Sequence, residues 1–210
     1  MAPREIVSAI ENQELLKKRH EQIVGAASKL FAEKGFHRTT MREISKACKI
    51  ELSQLYQYIS SKDDILYLYY MRIYELIGEY IRSLLYFDEE DPVGQLKGYV
   101  RSMLECVEDH EREFLTMYTE SRHLEHESLI DVLSLEHNSV TYLEAFIRKG
   151  KEKGIFKIND CTMTANFITH LLMTKPLRGW NFRKERSFGQ FAESLIEFIL
   201  DALGVEKDRR

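Results

Sequence analysis

Apolar residues recur along the chain three and four positions apart, the spacing of helices that bury one face. Leu16, His20, Ile23, Val24, Ala27, Leu30 and Phe31 make the first strong stripe, and Gly35 follows as a stop. Thr40 with Glu43 three positions later reads as a capping box: the hydroxyl accepts from the free amides of a first turn and the carboxylate reaches back. Met41, Ile44 and Ala47 are the buried stripe of the short helix this box opens, and Cys48-Lys49-Ile50 breaks it. Leu55, Tyr56 and Ile59 resume the pattern for about two turns. Ser60 or Ser61 then caps a long helix starting at Lys62-Asp63-Asp64, whose carboxylates suit the positive end of the helix dipole; it extends to about Phe87. Further helical windows cover residues 93–109, 111–122, 126–152, 161–174 and 188–203. The stretch "KGKEKGIFKIND" interrupts them, with Asn159 or Asp160 as the next N-cap, and a loop surrounds Pro176 and Gly179.

Ten glycines and three prolines in 210 residues are too little punctuation for a many-turned β protein, so the expected fold is all-α. The net charge of −4 hides a split: residues 1–66 carry 11 Lys and Arg against 9 Asp and Glu, while the remainder carries 19 against 25. A polyanion would bind the first part. Three separated cysteines with no CxxC pair fit reduced thiols in a cytoplasm. No apolar run approaches the ~18 residues of a membrane span, and "MAPREIVSAIENQ" lacks the basic-then-apolar pattern of a signal peptide. The expected organisation is an extension over residues 1–15, a first helical unit over 16–64 and a larger helical domain over 65–210.

Two short helices joined by a tight break, the first capped and half-buried, make a helix-turn-helix. Its second helix must enter a major groove about 12 Å wide, so its outer face needs compact hydrogen-bonding side chains. Ser53, Gln54, Gln57 and Tyr58 are of that kind, and Leu52 suits a thymine methyl. Gly35-Phe36, Thr39-Thr40, Ile44, Ala47, Leu55-Tyr56, Tyr58 and Ser61 to Leu66 together resemble the signature of the tetracycline-repressor (TetR) family of bacterial transcription regulators. The resemblance implies that Thr40 and Lys62 meet DNA phosphates, with Arg42 beside them. It places Tyr56 and Tyr58 against backbone and bases, and Leu52, Ser53 and Gln54 at variable base-reading positions. Two positions depart from the pattern: Lys49 stands where the family usually has glycine in a left-handed conformation, and Glu51 where it has a serine cap.

One recognition helix reads few base pairs, so a homodimer on a near-palindromic operator is expected. Phe167 and Leu171 on one late helix, and Phe188, Phe191, Leu195, Phe198 and Ile199 on the last, form apolar bands assigned to the dimer surface; the resemblance implies a four-helix bundle there. Met71, Tyr74, Met103, Phe114, Met117, Tyr118, Tyr142, Phe146 and Trp180 supply flat rings and adaptable thioethers for an apolar effector pocket. Lys175, Arg178, Arg183, Lys184 and Arg186 would greet an anionic head group such as that of an acyl-CoA or a fatty acid. "HLEHE" places His123 and His126 three apart with Glu127 adjacent, short of a zinc set, and reads as an exposed helix face. With no GxGxxG, P-loop, GxSxG, CxxC or HExxH, neither an enzyme nor a resident cofactor is expected. The expected function is a ligand-responsive regulator acting as a repressor; the alternative is a helical adaptor or enzyme that keeps the fold without binding DNA.

Overall fold

The computed structural model describes residues 4, 6–82, 90–181 and 187–206. The described residues hold ten α-helices: α1 Gln13–Lys34, α2 Met41–Cys48, α3 Leu52–Tyr58, α4 Lys62–Arg82, α5 Pro92–Asp109, α6 Glu111–Glu120, α7 His126–Glu152, α8 Cys161–Leu172, α9 Thr174–Arg178 and α10 Phe188–Ala202. No strand occurs among the described residues, and none of their helices is long and apolar enough to cross a membrane. The expected extension of α4 to Phe87 lies outside the described residues.

Local chemistry sets the helix ends. Asn12, Thr40 and Asp160 each accept a first-turn amide through the side chain, and Thr40 completes the capping box with Glu43. At the start of α4, Asp64 N–H donates to Ser61 Oγ at 3.1 Å, while the Asp64 carboxylate accepts from the amides of Ser60 and Ser61 at 2.7 and 2.9 Å. Ser61 is therefore the cap.

The helices compact into two units, Met1–Glu75 with Arg112–Ser134, and Leu76–Glu111 with Leu135–Arg210. This division differs from the sequence boundary after residue 64, because the beginning of α4, α6 and the beginning of α7 pack with the head. In the first unit α1, α2 and α3 pack on one another around Ile23, Ala27, Phe31, Ile44, Leu55 and Ile59. Behind them, Tyr69 Oη donates to the Glu113 carbonyl at 2.7 Å and Tyr70 Oη to that of Met117. Asp63, 6% exposed, accepts from the Glu125 amide at 2.8 Å and from Ser128 Oγ at 2.9 Å, tying α4 to the start of α7.

In the second unit α5 packs against α8 and α10. Leu96, Tyr99, Val100, Leu104, Ala165, Ile168, Ala192, Ile196 and Ile199 fill that core. Leu195 and Ile199, assigned from sequence to a dimer surface, are buried here among their own neighbours. A wide apolar stripe on α10 serves its own unit's core with one edge and leaves Phe198 exposed on the other. Phe198 on α10 and Phe167 on α8 stay 58% and 60% exposed, while Leu171, Phe188 and Phe191 are half-buried.

Candidate nucleic-acid interface

Thr40 opens the head's outer surface. Its amide donates to Glu43 Oε2 at 2.9 Å and its hydroxyl accepts the Glu43 amide at 3.3 Å. The Glu43 carboxyl is held at about 2, mainly by its bond from Lys34 and then by Thr40. That closed box leaves the Thr40 side chain exposed at the positive end of α2. Arg42 is exposed two positions on, with Lys46 a turn later on the same face.

The break between the helices turns on Lys49, the single non-glycine residue with positive φ among the described residues, at φ 55° and ψ 39°. Ser45 stabilises the turn, its carbonyl accepting the Ile50 amide at 3.1 Å and its hydroxyl donating to the Ile50 carbonyl at 2.7 Å. Gln22 Nε2 holds the Cys48 carbonyl at 2.6 Å from α1. Glu51 makes no side-chain cap bond to α3.

α3 therefore leans on its surroundings. Leu55 is fully buried, and Tyr58 three positions later shares its inward stripe at 8% exposed. His20 Nε2 donates to the Tyr58 carbonyl at 2.8 Å, and the Arg19 guanidinium lies 6.0 Å from the Tyr58 ring centre. Tyr58, expected from the resemblance to meet DNA, is thus a packing residue. Ser53, Gln54, Tyr56 and Gln57 are exposed, Tyr56 by 50%, and Leu52 is half-buried at the first turn.

Lys62 also departs from expectation. Its ammonium donates to the carbonyls of Phe36, His37 and Thr39 at 2.7, 3.4 and 3.0 Å, and lies 4.3 Å from the Phe36 ring centre. A lysine has three N–H donors, so the loop before α2 uses all of them and leaves charge but no free donor for a phosphate. Burial lowers the affinity of this ammonium for its proton. Lys46 and Lys49, neither of which sequence reasoning assigned to DNA, are exposed and make no ion pair among the described residues. The spacing of four between Arg42 and Lys46 was the signal available.

Nor does the HLEHE segment form an exposed helix face. His123 sits in a 3₁₀ turn, Ser121–His123, and His126 starts a separate helix, so the spacing of three is broken. The His123 ring stacks on Phe36 with 5.7 Å between centroids and meets His37 edge-on at 3.9 Å. Burial first, then His37, lowers its pKa.

The residues assigned to an effector pocket divide between the two units. In the first, Phe114 is buried, Met71, Tyr74 and Met117 are half-buried, and Tyr118 is 49% exposed. In the second, Met103 is buried and Phe146 packs edge-on against both Tyr142 and Tyr99, at 4.9 and 6.2 Å. Trp180 does not line an interior: it is 78% exposed on a 3₁₀ turn, with the Arg178 guanidinium 5.5 Å from its ring centre. Of the cations around it, Lys175 pairs with Glu108, and Arg183, Lys184 and Arg186 lie outside the described residues.

A trihelical core that presents a short polar and aromatic helix after a tight left-handed turn defines a helix-turn-helix DNA-binding protein. Residues 23–67 match the family model for bacterial regulatory proteins of the tetR family, and residues 89–177 match that for the tetracyclin repressor-like C-terminal domain. The chain belongs to the TetR family of transcription regulators. It is 25% identical over 207 residues to the HTH-type transcriptional regulator HbdR of Aromatoleum sp. (strain CIB), covering 95% of this chain and 88% of that one. A tetR-family regulatory protein from Rhodococcus RHA1 shares the fold at a TM-score of 0.82 and 20% identity, over 90% of this chain and 99% of that one. AibR in complex with isovaleryl coenzyme A and operator DNA does so at 0.75 and 20%, over 86% and 97%.

Proposed function

We propose that the protein binds a near-palindromic operator as a homodimer, represses transcription there, and is released by a small apolar or amphipathic effector. The observation that carries this reading is the outer face of α3, where Ser53, Gln54, Tyr56 and Gln57 project from a helix whose opposite face is buried. A polar glutamine with two donors and an acceptor suits a base edge, and small serine lets the helix approach closely. Thr40, Arg42, Lys46 and Lys49 flank it as phosphate partners, with Tyr56 reaching backbone or base.

Exposed Phe167 and Phe198 support pairing of two copies, since large rings left on two helices of one compact unit are the kind of surface a second subunit covers. For release, the effector must prefer the protein in its DNA-incompetent state, because equal affinity for both states shifts nothing. AibR and its acyl-CoA support an amphipathic effector by family analogy. Effector residues are proposed within each unit, with Phe114 and Met117 in the first and the Tyr99–Tyr142–Phe146 cluster in the second.

Selection of bound sequences from random DNA by the purified protein tests the reading. An inverted repeat is expected, and Gln54→Ala should shift the base preference at one position of each half-site by about 1–3 kcal/mol. Recovery of no common sequence, or a preference untouched by Gln54→Ala, overturns it.

A further inference from the structure

The segment from Arg4 to Ile10 precedes the helix-turn-helix in sequence, and its contacts reach far along the chain. Arg4 is the anchor. Its Nη1 donates to Asp63 Oδ2 at 2.8 Å and to Ser128 Oγ at 2.6 Å, and its Nη2 donates to Asp64 Oδ1 at 2.6 Å. The Arg4 amide donates to Asp131 Oδ2 at 2.6 Å, so one residue joins the starts of α4 and α7. Four residues on, Ser8 Oγ and the Ala9 amide both donate to the Gln57 carbonyl at 2.9 Å. Between these ends the segment bridges a cleft of about 790 Å³ whose other walls are α1 and α4, and Val7 at its middle is 77% exposed.

Gln57 lies in the last turn of α3, where carbonyls have no partner within the helix. A seven-residue helix with no side-chain N-cap is far below the roughly 12–15 residues at which isolated helices become marginal in water. Its order must come from outside. His20 takes the Tyr58 carbonyl, and Ser8 with Ala9 takes the carbonyl before it.

We infer that Arg4 and residues 6–10 form a strap that positions the recognition helix: Arg4 fixes one end to Asp63 and Asp64, and Ser8 and Ala9 cap the Gln57 carbonyl in the last turn of α3 at the other. The strap acts through α3 and makes no contact of its own with DNA. Its role in operator binding rests on the function proposed above, while its role in ordering α3 does not.

Hydrogen exchange on the DNA-free full chain separates the two. In Arg4→Ala, the amides of residues 55–59 should exchange about tenfold faster, the equivalent of one lost hydrogen bond. Asp63 and Asp64 keep their main-chain donors in that variant, so the fold survives. Ala9→Pro, which deletes one donor to Gln57, should act on the same amides, and Arg4→Lys should restore most of the protection. Where an operator is bound, Arg4→Ala should weaken binding about tenfold with the salt dependence of log K unchanged, because no phosphate contact is lost. Unchanged exchange at residues 55–59 in both variants overturns the strap. So does a salt slope shallower by about 0.9, which would make Arg4 a phosphate contact. Should the wild type select no DNA, the operator reading fails and the exchange result still decides the strap.

Discussion

The reading head and the α5–α8–α10 unit are built by different means. In the head, α2 and α3 are eight and seven residues long, and side chains are fastened to main-chain carbonyls: Thr39 to Gly35, Ser45 to Ile50, Gln22 to Cys48, His20 to Tyr58 and Lys62 to three more. In the other unit, longer helices meet through apolar faces, and the ion pairs Arg101–Glu193 and Lys157–Glu206 lie at the surface. A helix that must offer a polar face to a groove has only one side to bury, so hydrogen bonds set its place. A helix with no such duty is placed by buried area, and its outer rings are then free for a partner.

The contrast is broken most severely by Leu55→Ala, which removes the buried anchor of α3. It should cost about 2–5 kcal/mol in chemical denaturation and abolish operator retardation. Phe198→Asp should do the opposite in the other unit, changing protomer stability by no more than about 0.5 kcal/mol while sedimentation reports monomers in place of dimers. Loss of the protomer fold in that variant would contradict an outward role for the ring.

Smaller changes sharpen the comparison. Lys49→Gly relieves a left-handed backbone that costs an L-residue about 1–2 kcal/mol, less the added freedom of glycine in the unfolded chain. The melting temperature should rise slightly, and operator affinity should fall with the loss of the cation. The smallest effect is acid-dependent. The Glu43 carboxyl is depressed from 4.5 to about 2, so its contribution is complete above 4.5 and disappears as the pH falls toward 2. The stability difference between wild type and Glu43→Gln should therefore close across that window in pH-dependent melts.

Features carried by three or four neighbouring residues were legible in the sequence. The Thr40–Glu43 box follows from spacing alone, the caps of α4 and α8 were each narrowed to two neighbouring residues of which Ser61 and Asp160 serve, and the left-handed Lys49 follows from family resemblance. Features that depend on distant partners were not. Tyr58 reads as a groove-facing residue until Arg19 and the α3 stripe turn it inward. Lys62 reads as a phosphate contact until the loop more than twenty residues earlier engages it. Leu195 and Ile199 share a stripe with Phe198, and apolarity by itself does not say which edge faces the molecule's own core. Trp180 has the composition of a pocket lining and the position of an exposed turn. Arg4 gives no local signal, since its partners lie 59 to 127 positions away.

The grip of Lys62 on three carbonyls of the loop before α2 has a mechanical consequence. A lysine that holds the residues leading into α2 from the first turn of α4 removes the slack from that joint. Any tilt at the root of α4 drags the entry to α2 with it, and Thr40 follows as though soldered on. Movement at the root of α4 is then passed on to Thr40, the proposed phosphate partner, where a looser hinge would absorb it.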